Sequence, residues 1–278
     1  MSLLGWQTAL GRMVTSASFR ARARADGAPV FAPFALDEAA RGWLTRLAHA
    51  PGFAFTCSIQ ASWCELRARS AARLTMAALP EGQRQDILAT WLARGGGTGS
   101  FFASETVAFL EFVASQLPPD SHLASICRME QAAHRASQAA RDVAATQPSD
   151  ASSVGGPRGP VACAPRDPVD ASNASVRDPA TCVERHPAAS LVVFHAAPEA
   201  VLAAAFGDAP WPAHTDDAYV LLFAPGLPAL CRRAQPDEAA MFEACAPQAT
   251  VAALRAIGSD AALVELCRIG ALVAPPSR

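Results

Sequence analysis

Residues 146–187 divide this chain into two parts, because their composition cannot support a folded core. They are rich in Pro, Ser, Asp, Gly and Arg, and their apolar residues recur with neither a helical nor a strand period. Such a segment buries too little apolar surface to offset the entropy that ordering costs. We therefore interpret it as a flexible linker between a domain at residues 1–145 and a domain at residues 188–278, and a length of 278 residues is compatible with two modest domains.

Residues 1–145 are predicted to form an all-α bundle. Apolar residues recur at helical spacing in successive segments, and the short loops between them predict antiparallel neighbours. Asp37 is positioned to cap one of these helices, and Ser121 or Asp120 to cap the last one. The helix that precedes Pro80 is predicted to turn five residues toward the core: Ile59, Trp63, Leu66, Leu74 and Ala77.

Glu130 is the most informative polar residue in the helical part. It falls in the apolar stripe of the last predicted helix, with His134 on the same side. Because a buried carboxylate must be paired, we expect Glu130 to form an ion pair with Arg67 or Arg69, on the helix that carries Trp63. The alternative is that Trp63, Arg67, Arg69, Glu130 and His134 lie at an interface with a partner protein.

Residues 188–278 are predicted to form a small mixed domain. β-branched and aromatic residues predict strands at 190–195, 218–223 and 229–234. Helix-start signals occur at four positions: Pro198, Pro236, Thr250 and Asp260. A hairpin followed by three short helices is the order of a winged-helix module. The whole chain is thus predicted to be α+β, with an N-terminal helical bundle, a linker and a winged-helix-like module of three strands and three to four helices.

The composition disfavours several classes of protein. The 23 basic residues, all Arg, and the 25 acidic residues give a net charge of −2, so a broad polyanion-binding surface is not expected. No apolar stretch reaches the roughly 18–20 residues of a membrane span, and the N-terminus lacks the apolar core of a signal peptide. The eight cysteines form no CxxC pair, and the six histidines form no metal-binding motif. We therefore expect a cytoplasmic protein with reduced thiols, no catalytic residues and no cofactor of its own.

Both parts of the chain resemble proteins of ribosomal-peptide biosynthesis. The strand Tyr219–Phe223, the returning strand and the segment AQPDEAAMFEACAPQATVAALRAIGSDAALVELCRIGALV resemble precursor-peptide recognition elements. The helical part resembles the partner proteins of multinuclear non-haem iron-dependent oxidative enzymes, of the methanobactin and 3-thiaglutamate pathway type. Three segments carry this second resemblance: SWCELRARSAARLTMAALP (62–80), SFFASETVAFLEFVASQLPP (100–119) and HLASICRMEQAAHRAS (122–137).

The resemblance implies a non-catalytic subunit that forms a heterodimer with an iron-dependent oxidase, the iron residing in that partner. It would recruit the leader of a ribosomally made precursor peptide for oxidative modification of cysteine. From the residues themselves, we expect an open edge on the third strand and an apolar groove between that strand and the last helix, where a peptide adds as a further strand. We expect Arg232 and Arg233 to be an exposed pair and, with Arg268, to face acidic leader residues. The candidate peptide-binding residues are Tyr219, Leu221, Phe223, Leu230, Arg232, Arg233, Val264 and Arg268.

Two other function classes remain open on the sequence. One is a winged-helix DNA-binding regulator, although the predicted recognition helix over 260–268 carries two acids and one Arg where phosphate contacts need several cations. The other is a thiol- or metal-handling enzyme, which stoichiometric iron or zinc in the isolated protein would favour.

Overall fold

The computed structural model describes residues 2–97, 103–146 and 178–275, so most of the predicted linker lies outside the described residues. The chain divides into two compact units. The first unit consists of Met1–Gln131 with Glu199–Pro212, and the second consists of Ala132–Pro198 with Ala213–Arg278. The architecture is α+β, as predicted: the N-terminal part is helical, and every strand in the described residues belongs to the second unit.

Every regular element within the described residues of the first unit is a helix. They are α1 (Leu3–Thr15), α2 (Ala17–Asp26), a 3₁₀ helix (Ala28–Phe34), α3 (Glu38–His49), α4 (Pro51–Ala71), α5 (Arg73–Ala78), α6 (Glu81–Ala93), α7 (Ala103–Ala114), the first part of α8 (His122–Thr146) and most of α9 (Pro198–Ala205). The predicted caps are present: Asp37 accepts from the Ala40 N–H at 2.8 Å and Ser121 from the Ala124 N–H at 3.2 Å. None of the helices within the described residues is long and apolar enough to cross a membrane.

Two apolar clusters form the core of the first unit. One gathers α1, α2, α3 and the start of α4 around Met13, Phe31 and Leu44. The other gathers the end of α4 and the following helices around Met76 and Phe109. The helical bundle is therefore a packed body with its own interior, which is what independent folding of a domain requires.

The helix α4 buries a different face from the predicted one. Its buried residues are Phe53, Cys57, Cys64 and Ala68. Ile59, Trp63 and Leu66, which were predicted to face the core, are exposed. The predicted single helix also breaks at Ala72, where the backbone turns to φ −114° and ψ 55°, and α5 begins at the next residue.

The segment Glu199–Pro212 belongs to the first unit, although it follows the predicted linker in sequence. His122 anchors it by stacking on Trp211, with ring centroids 5.9 Å apart. The Nε2 of His122 also donates to the carbonyl oxygen of Pro212 at 2.9 Å. An aromatic stack and a hydrogen bond thus fix the end of this segment.

The second unit contains two three-stranded antiparallel sheets. Besides the rest of α8, its elements are β1 (Cys182–Arg185), β2 (Ser190–Phe194), β3 (Tyr219–Phe223), β4 (Cys231–Arg233), α10 (Pro236–Ala244), β5 (Ala249–Thr250), α11 (Val251–Arg255), α12 (Asp260–Arg268) and β6 (Leu272–Val273). The strand orders are β5-β1-β6 and β2-β3-β4. Because β1 lies inside 146–187, the predicted linker is wrong at its C-terminal end.

The register of the β2-β3-β4 sheet decides which side chains face the helices. Leu222 of β3 lies in the same core cluster as Met241 of α10 and Leu263 of α12. The alternate positions, which include Phe194 and Phe223, are buried as well. This sheet therefore buries residues from both of its faces, and its exposed main chain lies at its edges.

Candidate peptide-binding edge

The outer edge of β4 is open. The strand pairs with β3 on one side only, and hydrogen bonds from Ala234 N–H to the Val220 carbonyl (2.9 Å) and from Ala224 N–H to the Leu230 carbonyl (3.1 Å) flank the ladder. Since partners alternate along an antiparallel pair, Cys231 and Arg233 turn their main-chain groups outward. Within the described residues, no strand pairs with that side of β4.

The open edge is short. It offers the N–H and C=O groups of Cys231 and the N–H of Arg233, while the Arg233 carbonyl accepts from the Arg232 guanidinium at 3.0 Å. Leu230, a predicted binding residue, precedes the strand with φ +61° and closes the β3–β4 turn by donating its N–H to the Leu227 carbonyl. The half-buried Leu230 thus belongs to the turn that precedes β4.

Arg232 points to the helices and is neutralised there. Its guanidinium donates to both carboxylate oxygens of the buried Glu238 at 2.7 and 2.6 Å, and it lies 3.5 Å from Glu265. Glu265 also pairs with Arg268, at 2.6 and 2.8 Å. The prediction of an exposed Arg232 is therefore wrong: its side chain is 29% exposed, and a bidentate partner satisfies it.

This ion-pair network shifts three pKa values in the directions that favour charge. The bonds from Glu238 raise the pKa of Arg232. Burial raises the pKa of Glu238, but hydrogen bonds from Arg232 and from the Gln235 N–H outweigh it, so the pKa lies below its usual range. The bond from Arg268 holds the pKa of Glu265 low. Arg232, Glu238 and Glu265 therefore remain ionised near neutral pH.

The network also changes where a groove can lie. Arg232 links β4 to both α10 and α12, so the predicted furrow between the third strand and the last helix is crossed by charged side chains. Arg268 faces Glu265 in the structure, and Val264 stands 40% exposed on α12. Sequence inspection missed Glu238, although its position at the start of a helix three residues after Gln235 is the signature of a capping box.

A cavity of about 410 Å³ adjoins the open edge instead. Its lining residues come from the start of β3, the end of β4 and the start of α10: Ala218, Val220, Arg233, Ala234, Gln235, Pro236 and Ala239. Small apolar side chains dominate this lining, and Arg233 is its only charged residue. The cavity can accept an aliphatic side chain beside a carboxylate.

The three predicted binding residues of β3 differ in accessibility. Phe223 is 1% exposed, so its prediction as a peptide contact is wrong. Leu221 is half-buried and lies opposite Arg233 in the register. Tyr219 is half-buried too, and the Arg233 guanidinium lies over its ring, 5.0 Å from the centroid. Arg233 is thus positioned by an aromatic ring while remaining exposed at the edge.

In the first unit, Glu130 is bonded to the backbone and not to an arginine. Its two carboxylate oxygens accept from the Leu74 and Thr75 N–H groups, each at 2.9 Å. These amides stand at the start of α5, where the break after α4 removes their intrahelical partners. The predicted ion pair is therefore wrong, and Glu130 caps α5 from another helix.

The other predicted residues of the first part lie on α4 and α8. Arg69 pairs with Glu65 and Glu81, and Arg67 lies over the Trp63 ring at 6.0 Å from the centroid. Trp63 is exposed, and His134 is half-buried on α8. Their prediction as an interface with a partner remains a prediction.

Within the described residues, the cysteines form no disulfide. Every thiol whose pKa shift is resolved has a raised pKa, so none of those thiols is activated as a nucleophile. Seven are free. Burial raises the pKa of Cys127 to about 12 and that of Cys267 to about 11. No group of three or more His, Cys, Asp and Glu side chains in the described ranges is placed to hold a metal ion.

Comparison with known proteins adds no relative. No family model, no curated protein and no solved structure matches the chain.

Proposed function

We propose that this protein is a non-catalytic subunit that recruits a precursor peptide to an iron-dependent oxidase. Its second unit would capture the leader of a ribosomally made peptide, and its helical unit would bind the oxidase that modifies cysteine in that peptide. The iron would belong to the oxidase. The observation that carries the proposal is the open edge of β4 at Cys231 and Arg233, beside the cavity of about 410 Å³.

An extended peptide suits this edge better than a folded partner does. A strand added beside β4 would exchange main-chain hydrogen bonds with Cys231 and Arg233. One of its side chains would enter the cavity over Val220 and Ala239, and an acidic neighbour would meet the guanidinium of Arg233. Because an exposed ion pair contributes only about 0–1 kcal/mol, the main-chain bonds and the apolar anchor would supply most of the affinity.

The proposal includes a cytoplasmic location. The seven cysteines of the described ranges are all free thiols, which is the state that a reducing compartment maintains. A subunit acting on a newly made peptide also needs access to it before export.

The test uses the leader of a cysteine-containing peptide encoded beside this gene, labelled for fluorescence anisotropy. Arg233→Glu should weaken binding several-fold, because it replaces an attraction worth about 0–1 kcal/mol with a repulsion of similar size. Arg46→Glu, an exposed arginine on α3, is the charge-matched control and should bind as the wild type does. Equal affinity in all three proteins would reject Arg233 as a binding residue, and no binding at any concentration would reject the proposal.

A proline at the same position separates the main-chain contribution from the side-chain one. Arg233→Ala removes the guanidinium, whereas Arg233→Pro also removes the outward N–H without breaking a bond to β3. Since a hydrogen bond is worth about 0.5–1.5 kcal/mol, the proline variant should bind roughly three- to tenfold more weakly than the alanine variant. Equal affinities would contradict strand addition at this edge.

The DNA-binding alternative gains no support from the charges of the second unit. On α12, Arg268 is paired with Glu265, and Asp260 at its start is paired with Arg255. These cations are engaged by carboxylates of their own chain, whereas phosphate contacts need cations that face outward.

A further inference from the structure

A small cavity lies in the first unit, where the junction of α1 and α2 meets the middle of α4 and the end of α6. Its volume is about 150 Å³, which is enough for a molecule of about six heavy atoms. The helices α2, α4 and α6 each contribute an exposed alanine to its lining: Ala17, Ala61 and Ala89. Because these side chains are short, the cavity stays open to solvent and a small molecule can enter it.

The lining of the cavity combines an apolar wall with a single charge. Val14 and Leu92 supply its large apolar side chains, and Cys64 is buried in it. Burial raises the pKa of the Cys64 thiol, so this group is neutral near pH 7. Arg20 is the only charged residue among those that line the cavity. Such a lining suits a ligand that is apolar at one end and negatively charged at the other.

The end of α1 holds the Arg20 guanidinium in place. Its Nη1 donates to the carbonyl oxygens of Met13 and Val14, each at 2.8 Å. The last carbonyls of a helix lack intrahelical partners, so these two bonds cap α1 and fix the orientation of the guanidinium. No carboxylate forms an ion pair with Arg20 in the part of the chain that the structure describes.

The other side of this guanidinium, formed by Nε and Nη2, donates to no acceptor within residues 2–97, 103–146 and 178–275. The N–H groups of Nε and Nη2 are parallel, and their spacing matches the two oxygens of a carboxylate. The same two atoms of Arg268 donate to the Glu265 carboxylate, at 2.6 and 2.8 Å. Arg20 therefore has available, for another molecule, the pair of donors that holds a carboxylate elsewhere in this chain.

We propose that this cavity binds a short aliphatic monocarboxylate of about four carbons. Its carboxylate would accept from Nε and Nη2 of Arg20, and its chain would contact Val14 and Leu92. The volume limits the chain length, because an acid of about four carbons has the size that the cavity accepts. A phosphate fits this lining less well, since it brings more charge and more acceptor oxygens than one guanidinium can satisfy beside apolar side chains.

An NMR titration of the full chain with butyrate tests the proposal. The Arg20 Nε–H and the amides of the three helices around the cavity should shift, with a dissociation constant in the millimolar range or below, as a ligand of this size allows. n-Butanol keeps the carbon chain but has no carboxylate. It should bind at least about tenfold more weakly, because hydrogen bonds to a charged group are the stronger class.

Two variants and a control locate the site. Ala89→Phe places a ring at the mouth of the cavity and should weaken butyrate binding at least about tenfold. Ala25→Phe, at an exposed alanine of α2 outside the lining, is the matched control and should bind as the wild type does. Arg20→Gln removes the charge and should also weaken binding at least about tenfold. Because Arg20 caps α1 as well, circular dichroism checks that each variant is folded, and Ala89→Phe leaves this cap intact.

Three results would overturn the proposal. They are a wild type that does not bind butyrate at millimolar concentrations, equal affinities for butyrate and n-butanol, and a folded Ala89→Phe variant that binds butyrate as the wild type does. The edge of β4 plays no part in this measurement, so the proposal and that of peptide capture fail independently.

Discussion

Replacement of Glu130 by alanine should destabilise the first unit, because the Glu130 carboxylate caps the start of α5, just after the break between α4 and α5. Its carboxylate accepts from the backbone amides of Leu74 and Thr75, each at 2.9 Å. A hydrogen bond to a charged group contributes about 1.5–3 kcal/mol to stability. Thr75 is 1% exposed, so the loss of its hydrogen bond would cost the full stabilisation of about 1.5–3 kcal/mol. The amide of the half-buried Leu74 can form a hydrogen bond to water instead, so its loss would cost less.

We therefore expect Glu130→Ala to lower the free energy of unfolding by about 2–4 kcal/mol. At about 2–4 °C per kcal/mol for a unit of this size, the melting temperature should fall by roughly 5–15 °C. Glu130→Gln keeps one acceptor oxygen and should lose about half as much free energy.

The assay is urea unfolding followed by tryptophan fluorescence. All five tryptophans belong to the first unit, so the signal reports on that unit alone. The matched control is Glu81→Ala, an exposed glutamate paired with Arg69 and Arg84, which should cost less than about 1 kcal/mol.

A double-mutant cycle between Glu130 and Arg69 decides between the backbone cap and an ion pair. The two substitutions should be additive, because Arg69 pairs with Glu65 and Glu81. A loss below about 1 kcal/mol for Glu130→Ala, or a coupling energy above about 1 kcal/mol, would refute this reasoning.

Three further predictions concern the ionic network and the thiols. Glu238→Gln should destabilise the second unit by about 2–4 kcal/mol in calorimetry, since the Arg232 guanidinium loses its bidentate carboxylate partner and keeps only the more distant Glu265, and an unchanged transition would contradict that. Because the folded pKa values of Glu238 and Glu265 lie below the usual 4.5, their contribution to stability is complete above that pH and disappears as the pH falls through the folded values, so Glu238→Gln should flatten the acid limb of a stability–pH curve. Iodoacetamide at pH 8 should leave Cys127 and Cys267 unlabelled in the native protein, as mass spectrometry would show, because burial holds their thiols protonated; rapid labelling of either would contradict it.

The sequence was sufficient to predict the types of most elements, because propensity and capping act locally. Asp37 and Ser121 cap the helices that they were predicted to cap, and the strands at β2, β3 and β4 lie within their predicted ranges. The short strands β1, β5 and β6 were not predicted, since two to four residues are too few to show the alternation of apolar and polar residues that indicates a strand.

The buried face of α4 could not be predicted because both of its faces are apolar. Large residues such as Trp63 favoured one face, but Cys57, Cys64 and Ala68 line the other and are the ones that pack into the core. Small side chains permit closer approach between helices, and this tertiary effect outweighs size as a guide to burial.

The candidate site was predicted only in part, because some of its contacts depend on tertiary packing. The open third strand follows from strand order alone, whereas the partner of Arg232 depends on the turn that brings Glu238 back to it. Arg232 and Arg233 look equivalent in sequence, yet the pleat sends one to the helices and the other over Tyr219.

Amide hydrogen exchange resolved by NMR, with and without saturating leader peptide, tests the docking of a peptide on β4 most directly. The account predicts that the N–H groups of Cys231 and Arg233 become protected when the peptide binds, while that of Arg232, already bonded to β3, does not change. Bound peptide with unchanged exchange at Cys231 and Arg233 would contradict it.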